Sequence, residues 1–217
     1  MGATELIYKA VLFDLDGTIL DTSDLIISAF GHTFQKHYNR KLTSLEIHAF
    51  FGKTLRSAME HYGPDQVEEL IQTYREYSLV HHDQMTKIFS GVAETIRALH
   101  EAGIITAIVT SKTKKTTLHG LKLFNLDHYF PVIIGADQCQ NHKPHPEPIQ
   151  KALLQLGIKP EECLMVGDSP FDLISAKQAG VMTVAVRWTR VSWETILQET
   201  PDFTLENMHE LLTICGV

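Results

Sequence analysis

The stretch Ala10-Val11-Leu12-Phe13-Asp14-Leu15-Asp16-Gly17-Thr18 sets the architecture of the whole chain. Its first half is apolar without alternation, the pattern of a strand covered on both faces. Its second half puts two carboxylates, two residues apart, where that strand would end. A charge is costly inside a sheet, so these acids belong at its rim. In open α/β sheets the rim at the strands' carboxyl ends is where ligands bind. Gly17 lets the chain leave the strand tightly, and Thr18 adds a hydroxyl.

Outward from residues 10–15, similar apolar runs recur at 104–109, 132–134, 163–166 and 183–186, and each reads as a strand. Helical patterns lie between them. Ser90 is placed to cap a helix carrying Val92, Ile96 and Leu99, which Gly103 ends. A second helix starts near Pro148, carries Ile149, Leu153 and Leu156, and closes at Gly157. Residues 172–179 form a third, closed by Gly180. This alternation predicts an α/β fold with a Rossmann-like, doubly wound parallel sheet. The rhythm breaks from Ser23 to Thr86. There Leu25, Ile26, Phe30, Phe34 and Tyr38 recur at helical spacing, Thr43 and Glu46 form a capping-box pattern, and Val67, Leu70, Ile71 and Tyr74 mark another helix. The expected organisation is a core of residues 1–19 and 87–217 with a helical domain, 20–86, inserted. Phe30, Phe34 and Tyr74 read as the core of that insert.

The chain has 217 residues with 44% hydrophobic and 21% charged, which suits a globular protein and excludes a disordered one. Its net charge of −7 argues against a nucleic-acid partner. The one basic cluster, Lys112, Lys114 and Lys115, is too short to reverse that. No apolar run reaches the length of a membrane span. The apolar run near the N-terminus is bounded by Lys9 and Asp14, unlike a signal peptide. Cys139, Cys163 and Cys215 are odd in number and scattered, which points to a reducing cytoplasm.

Chemistry-bearing residues cluster at the expected strand ends. The second strand runs into Thr110-Ser111, the loop after the third holds His142-Lys143-Pro144-His145-Pro146, and the fourth ends in Gly167-Asp168-Ser169-Pro170-Phe171-Asp172. Each has a plain local reading: Ser111 as a helix cap, Lys143 as a solvated lysine, Asp168 and Asp172 as cap and first-turn acids. Together they bring acids, hydroxyls and a lysine to one edge, and phosphoryl transfer uses such a set. Carboxylates hold Mg²⁺ beside a phosphate oxygen, and metal and lysine offset phosphoryl charge. One carboxylate can attack phosphorus while a second moves the proton.

In this order FDLDGT, VTS, K-P-x-P and GDSPFD resemble the four motifs of the haloacid dehalogenase superfamily, over nearly the whole chain. The resemblance implies Asp14 as nucleophile and Asp16 as general acid and base, with Asp16 also lending its backbone carbonyl to Mg²⁺. It implies Thr110 as a phosphoryl ligand, with Ser111 as the alternative, and Lys143 as the cation steadying nucleophile and phosphate. Asp168 becomes a Mg²⁺ ligand beside Asp14, and Asp172 supports the metal site. Thr18 is a further candidate for phosphate. The helical insert is similar to a C1 cap that closes over the site. Family dehalogenases lack an acid at the position of Asp16, so its presence implies a phosphate substrate.

The segments DLIISAFGHTFQKHY, AFFGKTLRSAM, LIQTYREYSLVHHD and PDFTLENMHELL look like the bacterial inorganic pyrophosphatases of the superfamily, a layout shared with phosphoglycolate phosphatases. The function implied is a Mg²⁺-dependent phosphohydrolase, foremost on pyrophosphate, with phosphoglycolate or another small phosphomonoester as the alternative. A phospho-aspartate signalling module is the remote alternative, and a monomer or weak dimer is expected. Lys53 and Arg56 could neutralise a second phosphate or a carboxylate, or be a solvated pair at a helix start. Histidines 81, 82, 142 and 145 match no zinc spacing, and His145 is nominated as the one nearest the pocket.

Overall fold

A computed structural model describes residues 8–217, so the first seven residues of the expected core segment 1–19 lie outside it. In chain order the elements are β1 (Ala10–Phe13), β2 (Leu20–Asp21), α1 (Ser23–Tyr38), α2 (Ser44–His48), α3 (Leu55–Tyr62), α4 (Val67–Met85) and β3 (Lys87–Ile88). Then come α5 (Val92–Glu101), β4 (Ile105–Val109), α6 (Lys114–Leu123), β5 (Val132–Ile134), α7 (Glu147–Leu156), β6 (Cys163–Gly167) and α8 (Pro170–Gln178). The chain closes with β7 (Met182–Val186), α9 (Trp193–Gln198), β8 (Phe203–Leu205) and α10 (Glu210–Cys215).

Six strands form one sheet in the order β5-β4-β1-β6-β7-β8, and every neighbouring pair is parallel. The chain builds from β1 through β4 to β5, then crosses back to β6 and builds the other way. β1 therefore sits at the switch of direction, where the helices leave on opposite faces and open a crevice. Along β1, Val11 and Phe13 enter one hydrophobic cluster while Ala10 and Leu12 enter the other. Both faces are covered, which is why the strand reads as continuously apolar. Val92, Ile96 and Leu99 of α5 cover the first face, and Ile149, Ala152 and Leu153 of α7 the second.

The chain leaves this sheet through β2 and returns through β3, an antiparallel pair matching Leu20 with Ile88 and Asp21 with Lys87. Between them α1 to α4 enclose a cluster of their own, built on Phe30, Phe34, Ile47, Met59 and Leu70. Phe30 packs edge-on to Tyr74 at 5.1 Å between ring centroids. Thr43 and Glu46 form the capping box at the start of α2, as their spacing predicts.

One expectation is corrected here, and three strands are added to those expected. The helix expected to start from Ser90 is α5, whose cap is Gly91 at φ 78, with no side-chain hydrogen bond to its first turn. The two-residue strands β2 and β3 and the outer strand β8 were not expected. β8 is short and half exposed, so it lacks the apolar run that marks the inner strands. No helix among the described residues is long and apolar enough to cross a membrane. The three cysteines are free.

Candidate active site

β1 delivers Asp14 to the sheet edge, and its backbone N–H continues the ladder by donating to the Val166 carbonyl at 2.9 Å. That pairing fixes the loop after β1 beside the loop after β6. Gly17 follows at φ +85, and a Cβ there would stand 2.2 Å from Asp168 Oδ2. Only glycine permits both the left-handed turn and the approach of Asp168.

Asp14, Asp168 and Asp172 are buried, and one carboxylate oxygen from each lies within 4.8 Å of the others. Lys143 reaches into this group. Its Nζ donates to Asp14 Oδ1 at 2.7 Å, to Asp172 Oδ1 at 2.5 Å and to the Val109 carbonyl at 3.1 Å. The second oxygen of Asp172 accepts from the Ser169 N–H at 3.0 Å and hydroxyl at 2.6 Å. Asp172 is thus spent on positioning Lys143 and the start of α8. Asp168 has more freedom, since its Oδ2 meets only the Thr189 hydroxyl, at 3.4 Å.

Fully ionised, three carboxylates and one ammonium carry a net charge of −2 in this buried space. The carboxyl groups respond to it. Burial pushes Asp14 up to about 7, opposed by Lys143 and reinforced by Asp172 and Asp16. Burial, then Asp14 and Asp172, push Asp168 well above the carboxylate range. Burial lowers the Lys143 ammonium, but Asp14 and Asp172 outweigh it and hold the pKa above its ordinary value. A hard divalent cation bound by oxygens would cancel the surplus charge, so the donor set fits one.

Asp16 stands apart from that group. Its Oδ1 accepts from the Thr22 hydroxyl at 2.6 Å and from Lys112 Nζ at 2.7 Å. Lys112, seen in the sequence only as part of a basic cluster, is therefore part of the site. The signal was its place directly after Thr110-Ser111. Thr110 is buried at the same edge, where its Oγ1 accepts from the Lys112 N–H at 3.2 Å. Ser111 instead donates to the Gly52 carbonyl of the helical insert at 2.7 Å.

A cavity of about 770 Å³ lies above these groups, between sheet edge and insert. Lys53, Arg56, Arg75, Lys112, Lys115 and Arg190 line it, against three acids, Asp14, Asp16 and Asp137. Lys53 lies over the Phe50 and Phe171 rings, 4.9 and 5.8 Å from their centroids. Arg56 pairs with Glu68 at 2.7 Å. Thr18 is not brought to the cavity. It is fully buried, its hydroxyl has no hydrogen-bond partner, and its carbonyl faces the Trp188 ring N–H at 3.4 Å. His142 lines the cavity and His145 does not, because the His145 ring turns back to accept from the Glu147 N–H.

Residues 11–186 match the family of haloacid dehalogenase-like hydrolases. A protein named pyrophosphatase PpaX from Anoxybacillus flavithermus is 45% identical over 209 residues, 96% of this chain and 97% of its own. The protein of that name from Halalkalibacterium halodurans is 44% identical over the same shares. A solved haloacid dehalogenase-like hydrolase from Streptococcus pneumoniae superposes with a TM-score of 0.86 at 27% identity, covering 95% of this chain and 98% of that one. The family match begins within β1 and ends with β7, so it contains every loop that feeds the carboxylate group. Sheet order, carboxylates at the switch of direction and match in sequence agree: this chain belongs to the haloacid dehalogenase-like hydrolases.

Proposed function

We propose that this hydrolase is a Mg²⁺-dependent phosphatase working through an aspartyl-phosphate on Asp14, with inorganic pyrophosphate as its preferred substrate. The observation that carries the reading is the buried group Asp14, Asp168 and Asp172, with Lys143 bridging Asp14 and Asp172, beneath a cavity lined by six cations. The relatives named pyrophosphatase support the substrate.

An Asp14 oxygen attacks phosphorus, and the bond from phosphorus to the bridging oxygen breaks. Asp16 gives its proton to the departing phosphate oxygen. It then takes a proton from the water that attacks the phosphorus of the acyl phosphate, and the carboxylate of Asp14 is released. Lys143 holds Asp14 in place and Thr110 binds the transferring phosphoryl, with Ser111 occupied by its bond to Gly52. Asp14, Asp168 and the Asp16 backbone carbonyl would hold Mg²⁺, which offsets charge on the phosphoryl oxygens when bound. Lys53 and Arg56 on the insert would face the second phosphate. Residues 20–86 act as the cap: the Ser111–Gly52 bond is one point at which that segment seats on the core.

A second reading has its own observation. Phe30, Phe50, Phe51, Leu55 and Tyr74 also line the cavity, an apolar wall that pyrophosphate does not need. It favours a small organic phosphomonoester such as phosphoglycolate. Phosphate release with Mg²⁺ from pyrophosphate, phosphoglycolate, sugar phosphates and an aryl phosphate separates the two, with EDTA as control. The first reading expects kcat/KM for pyrophosphate at least about tenfold above the rest, ~1.4 kcal/mol of transition-state binding. The reverse order would move the substrate and leave the mechanism.

A further inference from the structure

We infer that His82, Asp83 and His119 form a second metal site, for a transition-type divalent cation of the zinc class, where the helical insert meets the core. His82 and Asp83 lie in the last turn of α4, and His119 on α6. His82 Nδ1 and His119 Nε2 each lie 2.8 Å from the same oxygen, Asp83 Oδ1. The three ligand atoms fall within 4.8 Å of one another. Metal–ligand bonds of ~2.0–2.1 Å place tetrahedral donors roughly 3.4 Å apart, so small side-chain rotations bring all three onto one ion.

The donors select the ion. Two imidazoles and one carboxylate suit zinc, cobalt or nickel, whereas the oxygen-only group around Asp14 suits magnesium. Burial divides the work. The His82 side chain is 10% exposed, and its Nε2 has no hydrogen-bond partner and lies toward Gly120 of α6. Packing therefore anchors that ring and leaves Nδ1 as its outward donor. Asp83 and His119 are about half exposed, so an ion can enter and keep water in a fourth position. Because His82 Nε2 lacks an outer partner, affinity falls about 10–100-fold below that of a fully supported site.

The placement links two parts of the molecule. α4 ends at Met85 and the chain re-enters the core at β3, while α6 begins after the loop whose Lys112 holds Asp16. An ion here would tie the insert's exit to the core and restrict cap movement, a consequence that rests on the proposed function. The site itself does not.

Co²⁺ is the probe, added to the full-length Asp14→Asn variant in excess Mg²⁺ and followed by its visible absorption. One Co²⁺ should bind per chain. His119→Ala and Asp83→Ala, both at exposed positions, should weaken it at least about tenfold, and Asp168→Asn should not. Equal binding after His119→Ala, or binding lost only with Asp168→Asn, overturns the site. Since no turnover enters this readout, failure of the phosphatase reading would leave it standing.

Discussion

The two oxygens of Asp172 are both occupied, one by Lys143 and one by Ser169, whereas Asp168 Oδ2 has a single long contact to Thr189. That difference separates two acids with the same sequence signature. Asp168→Asn is expected to raise the Mg²⁺ concentration needed for half-maximal activity. Asp172→Asn should lower kcat at saturating Mg²⁺ by loosening Lys143, with a smaller change in Mg²⁺ demand. Mg²⁺ titrations of phosphate release check both, and equal shifts for the two variants would deny the distinction. Asp14→Asn should abolish release, because the amide is no nucleophile. Asp16→Asn should cost about 10²–10⁴-fold in kcat as the proton carrier is lost. A rapid-quench assay with radiolabelled substrate should find phosphoprotein in neither Asp14→Asn nor its denatured form.

Among the elements, the loop between α2 and α3 carries one contact of insert with core. Gly52 there has φ +82, and a Cβ would stand 2.7 Å from Ser169 Oγ and 2.9 Å from the Phe171 ring. Gly52→Ala is therefore strained twice and should lift this loop off the turn before α8. The core of the insert, around Phe34 and Leu70, is not touched, so the thermal midpoint should move little. The expected loss in kcat/KM is roughly 10–10²-fold, the scale on which misplaced substrate-facing groups act. A large fall in the midpoint with normal activity would show that Gly52 serves the fold alone. The elements that position chemistry were also the ones legible in the sequence. β1, β4, β6 and β7 are buried on both faces and read as apolar runs. β2 and β3 have two residues each, too few for any period, and β8 is half exposed. Thr18 misled because the hydroxyl after Asp-x-Asp-Gly looks like site chemistry, and only the turn at Gly17 sends it inward. Lys112 was hidden among three lysines of one short run, where spacing does not say which one folds back onto Asp16.

At the scale of the molecule, the sheet concentrates negative charge at its switch of direction and leaves one lysine to balance it. In the unfolded chain each of these carboxyls is solvated and titrates near 4. In the fold Asp14 is pushed up to about 7, and Asp168 is raised as well. An acid whose pKa is higher in the folded state binds more protons folded than unfolded across the interval between the two values. Stability then falls as pH rises through that interval, here from about 4 to about 7. The metal-free protein should accordingly melt at a lower temperature at pH 8 than at pH 5.5. Mg²⁺ binds the ionised carboxylates, so its stabilisation should be large at pH 8 and small at pH 5.5. For a chain of this length ~1 kcal/mol moves the midpoint by roughly 2–4 °C, within reach of calorimetry in EDTA and in Mg²⁺. Asp168→Asn removes one of the crowded charges and should flatten both the pH slope and the Mg²⁺ effect. A metal-free midpoint that climbs from pH 5.5 to 8, or a Mg²⁺ shift equal at both, would mean that the surplus charge is balanced by a group other than a bound cation. The buried carboxylates would then cost no stability at neutral pH, and the argument from charge to metal would fail with them.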